Sequence, residues 1–185
     1  MLRHARLWRI ALLVALGELT VLLGLLAVLA VASGGLAITI GPRTPSAPMQ
    51  IPVAGIRPQD LEDSYGDRRS GGRFHQGIDI FAAAGTPVLA PDDAIVVERR
   101  AERLGGTTLY LRDTDGVTVY YFAHLQGYRA GLVEGQLVRR GEVVGYVGAT
   151  GNAQGAHLHF AVFTVKNPNR WRTGRYLNPY PLLTS

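Results

Sequence analysis

The sequence predicts an antiparallel all-β domain, and three observations carry that reading. Short β-branched and aromatic runs recur between turn residues, glycine is abundant at 23 of 185 residues, and no long amphipathic helical pattern follows Ala32. In order the runs are TPVLAP from residue 86, AIVVERR from 94, TTLYLRD from 107, VTVYYFAHL from 117, QLVRRGEVVGYVG from 136 and HLHFAVFTV from 157. Asp115-Gly116 lies between the third and fourth runs and is a strong signal for a tight hairpin. The stretch Val138 to Val144, with Arg-Arg-Gly at its middle, reads as another strand pair joined by a tight turn. The sequence carries no internal repeat.

Ahead of this domain the composition changes twice. Residues 10–32 are apolar or small except for Glu18 and Thr20, and as a helix rising ~1.5 Å per residue they reach across a hydrocarbon core of ~30 Å. Arg3, Arg6 and Arg9 precede this run, so residues 1–9 form a basic stub. The positive-inside rule places that stub in the cytoplasm and everything after Ser33 on the outer face of the membrane. A cleaved secretory signal is the competing reading, with Ala30-Val31-Ala32 as the cleavage site. The run exceeds the ~7–15 residues usual for such a signal, so a retained single-pass anchor is expected. Glu18 is either a contact for a second membrane helix or a carboxyl held shallow in one leaflet. Residues 33–55, with four prolines and four glycines, are expected to form a linker, leaving residues 56–185 as the folded domain.

Charge and cysteine usage narrow the function classes. Part of the formal charge of +5 sits in the basic stub, and no basic block with interleaved aromatics follows, so nucleic acid is not an expected partner. The mild positive balance suits an anionic polymer such as a cell wall. The absence of cysteine removes thiolates from the available metal ligands and disulfides from the available cross-links.

The histidines carry the chemistry. Of five, His4 lies in the basic stub and the other four fall in three short motifs: His75-Gln76-Gly77-Ile78-Asp79, then His124 in YYFAHL, then His157-Leu158-His159 in GAHLHF. Imidazole and carboxylate ligands with an open position are what a catalytic zinc requires. His75 and Asp79 would stand ~13 Å apart on a straight strand, so the segment must bend to bring them to one metal, and Gly77 is the residue free to allow it. His157 and His159 project from one face of a strand at ~6–7 Å spacing. One of them can then bind metal while the other addresses water or substrate. His124 reaches the same cleft from a neighbouring strand. A lone HxxxD or HxH is weak evidence; all three motifs together, using every histidine of the domain, are not.

These motifs resemble those of the lysostaphin-like, or LytM-type, zinc endopeptidases, which cut peptidoglycan cross-bridges and stem peptides. The resemblance covers about residues 58–180, with HQGID, FAHL, GYVGATGNAQGAHLHF and LNPYPLL in the family's order, and SYGDRR similar to its FGxR. It implies a barrel-sandwich-hybrid-like fold, one Zn2+ held by His75, Asp79 and His159, and His124 and His157 as the two catalytic histidines that are not ligands. Which of the two is the base and which steadies the oxyanion stays open. Some relatives place a tyrosine just upstream of the first histidine; here position 74 is Phe, and of Tyr120 and Tyr121 at least one is expected in the core. The stretch from Asn167 to Tyr180 is individual to this chain and reads as a surface loop, with wall-polymer binding as the alternative.

The expected function is therefore a membrane-anchored zinc endopeptidase acting on peptidoglycan peptides. One rival is a non-catalytic module that activates a wall amidase, a class that typically loses the zinc ligands retained here. Another is a peptidase for exported proteins. A lipoyl- or biotinyl-type carrier is a third, disfavoured because the single lysine, Lys166, is not in a hairpin turn.

Overall fold

A computed structural model describes residues 49–167 and 170–185. The basic stub, the apolar run 10–32 with Glu18, and most of the expected linker lie outside the described residues. Among the described residues no helix is long and apolar enough to cross a membrane.

The domain is one antiparallel sheet of nine strands. They are β1 (Ile78–Phe81), β2 (Pro87–Leu89), β3 (Ala94–Glu102), β4 (Gly106–Asp113), β5 (Thr118–Tyr128), β6 (Leu137–Val138), β7 (Val143–Val147), β8 (His157–Thr164) and β9 (Arg175–Leu177), followed by a short helix, α1 (Tyr180–Thr184). The main path runs β1-β8-β5-β4-β3-β6, with β7 pairing both β2 and β5, and β9 pairing β8. The all-β expectation holds, and the six runs read from the sequence all contain strands.

β5 is the spine. Its first half, Thr118 to Ala123, pairs with β8, and its second half, Leu125 to Tyr128, pairs with β7. β4 covers its other side. The β4–β5 hairpin turns where Asp115-Gly116 signalled it. Gly116 takes φ 79°, and Asp115 Oδ1 accepts from the backbone N–H groups of Val117 and Thr118 at 2.7 and 2.9 Å.

Three expectations are corrected. The stretch from Val138 to Val144 does turn tightly at Gly141 (φ 77°), yet β6 pairs with β3 and β7 with β2 and β5, so the two strands are not partners. Residues 49–55, expected at the end of the linker, belong with the domain: Ile51 and Val53 are buried in the core, and Val53 bridges Val88. The segment read as a surface loop after Asn167 contains β9, and its Trp171 and Tyr176 pack around Val119 and Phe163 on a second, smaller apolar cluster.

The main core gathers Ile78, Leu109, Leu111, Phe122, Leu125, Leu158 and Phe160, all fully buried. Of the adjacent tyrosines, Tyr120 is core and donates its hydroxyl to Asp113 Oδ2 at 2.5 Å. Tyr121, on the opposite face, lines the cleft described next, as strand alternation requires.

Candidate metal centre and catalytic cleft

His75 lies just ahead of β1, and its backbone N–H and carbonyl bond Asp67 O and the Gly66 N–H. The chain then bends at Gly77, as the spacing of His75 and Asp79 demands. Gly77 does not need a positive φ for this. Its requirement is closeness: a Cβ there would stand 2.4 Å from Phe160 O and 3.0 Å from His159 Cε1. The bare backbone lets β1 lie against β8 with Asp79 paired to His159.

Three ligand atoms meet as a result. His75 Nε2 is 2.8 Å from His159 Nδ1 and 3.1 Å from Asp79 Oδ1, and His159 Nδ1 is 3.0 Å from Asp79 Oδ1. A tetrahedral zinc with bonds of about 2.0–2.1 Å separates its ligand atoms by about 3.3 Å. The sides of 2.8–3.1 Å come within about half an ångström of that spacing, and the two imidazoles and one carboxylate are the donor types such an ion takes. Among the described residues this is the one group of three with metal-binding spacing.

The supporting contacts fix which nitrogen faces the site. His75 Nδ1 is 2.7 Å from Ser64 O and 2.6 Å from Arg69 Nη2. A carbonyl only accepts and a guanidinium only donates, so both cannot be hydrogen bonds to the same ring atom. Only Nδ1–H donating to Ser64 leaves Nε2 a lone pair for a cation, and Arg69 Nη2 finds its acceptor in Asp79 Oδ2 at 2.7 Å. Ser64 Oγ also accepts from the Asp79 N–H at 3.2 Å. Burial by itself would raise the Asp79 carboxyl, but hydrogen bonds and charge from His159 and His75 hold it well below the usual carboxylate range. Burial lowers the His159 imidazole, against the pull of Asp79. Both shifts favour the forms a metal binds.

His124 and His157 complete the cleft. His124 sits where β5 changes partner from β8 to β7, opposite an irregularity in the β4 pairing. It is the only non-glycine with positive φ among the described residues, at 62°. That bulge aims its ring into the cleft. Gly148 at the end of β7 accommodates the bulge, since a Cβ there would meet Gln126 N at 2.3 Å. Its Nδ1 donates to Thr150 O at 2.8 Å, and His157 Nδ1 donates to Gly155 O at 2.9 Å. Each ring therefore keeps its lone pair on Nε2, and His157 Nε2 lies 3.9 Å from Asp79 Oδ1. The two rings are 4.7 Å apart. Burial lowers the His124 imidazole and keeps it neutral, the form of a proton acceptor.

All five residues singled out in the sequence line or adjoin one cleft of about 940 Å³. Arg68, Arg69 and Arg73 line it, as do Tyr121 and Glu102. The Tyr121 ring meets His159 edge-on at 5.9 Å while its hydroxyl donates to Glu102. Tyr65 donates its hydroxyl to Tyr176 O. Sequence reasoning singled out the segment SYGDRR but gave Ser64 and Arg69 no role, and it did not find Thr150 or Gly155. Thr150 and Gly155 act through backbone carbonyls, which any residue supplies, whereas Ser64 and Arg69 also act through side chains.

A three-residue metal triangle beside two histidines whose Nδ1 atoms donate to backbone carbonyls is the arrangement of a single-metal hydrolase. Residues 73–179, more than half of the chain, match the model for peptidase family M23, and the chain belongs to that family. Over 129 residues it is 35% identical to the L-Ala–D-Glu endopeptidase of Bacillus subtilis (strain 168), an alignment covering 65% of this chain and 38% of that protein. The catalytic domain of lysostaphin from Staphylococcus simulans is similar in structure with a TM-score of 0.59 at 29% identity, covering 69% of this chain and 96% of that one. A zinc-containing peptidase from Vibrio cholerae gives a TM-score of 0.56 at 26% identity, covering 71% of this chain and 39% of that one. The chain thus spans well under two thirds of the length of the Bacillus subtilis relative.

Proposed function

We propose that this protein is a zinc-dependent endopeptidase that hydrolyses peptide bonds of peptidoglycan, with His75, Asp79 and His159 as metal ligands and His124 and His157 as catalytic residues. The observation that carries the reading is the triangle of His75 Nε2, Asp79 Oδ1 and His159 Nδ1, with sides of 2.8–3.1 Å, beside two histidines whose Nδ1 atoms are spent on backbone carbonyls. The names of the relatives, an L-Ala–D-Glu endopeptidase and lysostaphin, support a cell-wall peptide as substrate. Residues 10–32 would hold the enzyme in the cytoplasmic membrane with the domain on the outer side.

Zinc bound by these ligands supplies Lewis acidity, lowering the pKa of water and polarising the scissile carbonyl. The chain's residues do the rest. Of the two histidines presenting Nε2, one takes the proton of the attacking water. That same proton is handed on to the leaving amine as the C–N bond breaks, and the other ring, when it carries a proton on Nε2, steadies the oxygen of the tetrahedral species. Thr150 and Gly155 carbonyls hold both rings in the tautomer this needs.

The test is peptide release from purified sacculi by the full chain, with bound zinc quantified in the same sample. About one equivalent of zinc per chain is expected, with His159→Ala losing both metal and hydrolysis. His124→Ala is expected to keep its zinc and lose turnover by roughly 10²–10⁴-fold. Zinc bound without release of any wall peptide would overturn the proposed activity, and hydrolysis retained in His124→Ala would overturn the assignment of that residue.

A further inference from the structure

We propose that Arg69 is a positioning residue of the metal centre, which holds one oxygen of Asp79 so that the carboxylate offers the ion only the other. This rests on the reading of His75, Asp79 and His159 as ligands.

The two oxygens of Asp79 face different partners. Oδ1 stands 3.1 Å from His75 Nε2 and 3.0 Å from His159 Nδ1, inside the ligand triangle. Oδ2 points out of it and accepts from Arg69 Nη2 at 2.7 Å. An unrestrained carboxylate can close both oxygens on one ion. That would fill a position which a catalytic site with three protein ligands keeps open. A charge-assisted hydrogen bond from a guanidinium is about twice as strong as a neutral one. It therefore competes effectively for Oδ2.

The segment carrying Arg69 is built to deliver it. The Arg69 N–H bonds Arg73 O at 2.9 Å, and Gly71 and Gly72, at φ 75° and 73°, turn the chain between them. That turn sets the guanidinium over the segment from His75 to Asp79, where Nη2 reaches Asp79 Oδ2. The neighbouring arginines do not duplicate this. Arg73 Nε donates within the turn to Ser70 O, and Arg68 bridges Phe74 through its backbone. The Arg69 side chain is 39% exposed, so shortening it leaves no cavity in the core. A lysine could supply charge to Oδ2 but not the fixed, planar N–H geometry of a guanidinium.

The experiment compares Arg69→Gln and Arg69→Lys with the wild type as purified full chains. It measures zinc affinity by competition with a chromophoric chelator, the visible absorption of the Co2+-substituted proteins, and the thermal midpoint of the metal-free proteins. Arg69→Gln should bind zinc about 10–100-fold more weakly. Its Co2+ bands should lose intensity as the freed Oδ2 adds a ligand, and Arg69→Lys should fall between. The metal-free midpoint should not move. Unchanged zinc affinity and an unchanged Co2+ spectrum in Arg69→Gln would overturn the proposal, as would a metal-free midpoint that falls in step with affinity. Wild-type protein that takes up no zinc would instead bring down the ligand assignment on which the proposal stands. Because no readout depends on hydrolysis, failure of the proposed peptidase activity is separately visible.

Discussion

Gly77→Ala tests whether the metal triangle depends on how closely β1 approaches β8. The added Cβ would stand 2.4 Å from Phe160 O, whereas a carbon–oxygen contact of this kind settles at about 3.3–3.6 Å. Relief therefore needs β1 to retreat by about 1 Å, since the obstacle is backbone in the middle of the sheet and cannot swing aside. Overpacking of this size costs about 1–3 kcal/mol, and 2 kcal/mol corresponds to a midpoint lowered by roughly 6–10 °C in a domain of this length. The retreat also pulls Asp79 from His159, its cross-strand partner; a misplacement of about 1 Å costs an active site about 10²-fold. The assay is thermal unfolding with zinc affinity and peptide release, alongside Gly127→Ala. Gly127 also lies in a strand, but an added Cβ there meets nothing within 4 Å, so it reports the generic effect of replacing a strand glycine. If Gly77→Ala matches Gly127→Ala in midpoint and zinc affinity, the close-approach argument is refuted.

Three further outcomes are expected. Tyr120→Phe removes the donor to Asp113 Oδ2 inside the core and should cost about 1–3 kcal/mol of stability, read as a lower urea midpoint with peptide release per folded molecule unchanged. Burial, followed by the bond to Asp113, pushes the Tyr120 phenol well above its ordinary value. Its stabilising contribution is thus complete below the unfolded pKa of about 10 and is lost above it, at up to about 1.4 kcal/mol per pH unit. Urea midpoints measured from pH 9 to 11 should fall more steeply in the wild type than in Tyr120→Phe; parallel slopes would contradict this. Chelation of zinc should abolish peptide release and leave the far-ultraviolet circular dichroism unchanged, because the core of Leu109, Phe122 and Phe160 makes no use of the metal residues. Loss of the β-sheet signal on chelation would show the opposite.

Much of the site was legible because its chemistry is written in rare side chains. His75, Asp79, His124, His157 and His159 advertised themselves by type and order, and the bend demanded between His75 and Asp79 is present. The strands were legible where alternation and turn residues agreed, as at Asp115-Gly116. Legibility failed where a residue's part depends on a partner distant in sequence. The tight turn at Gly141 looks local, but its two flanking strands answer to β3 and to β2 and β5. Ile51 and Val53 stand in a stretch rich in proline, and only Val88 and the core reveal them as part of the domain. β9 is three residues long, and little in its sequence distinguishes it from loop without β8 beside it. Ser64, Thr150 and Gly155 orient imidazoles through carbonyls, a role no side chain announces. The αL geometry of His124 was likewise invisible, since histidine carries no marker for it.

The separation of the ligands along the chain has a consequence for when this protein becomes competent. Asp79 and His159 stand 80 positions apart in sequence, and His75 and His159 stand 84 apart. Hairpins such as β4–β5 close through short loops, but β1 can join β8 only after nearly all the intervening strands exist. Contacts of such long range form late because their loop-closure entropy must be overcome first. Capture of a metal by these three residues would thereby be reserved for the finished sheet: a stalled or partly unfolded chain holds its histidines but not their meeting point. An ion held by all three would clasp the outermost strand β1 to its neighbour β8 and so oppose fraying at that edge of the sheet.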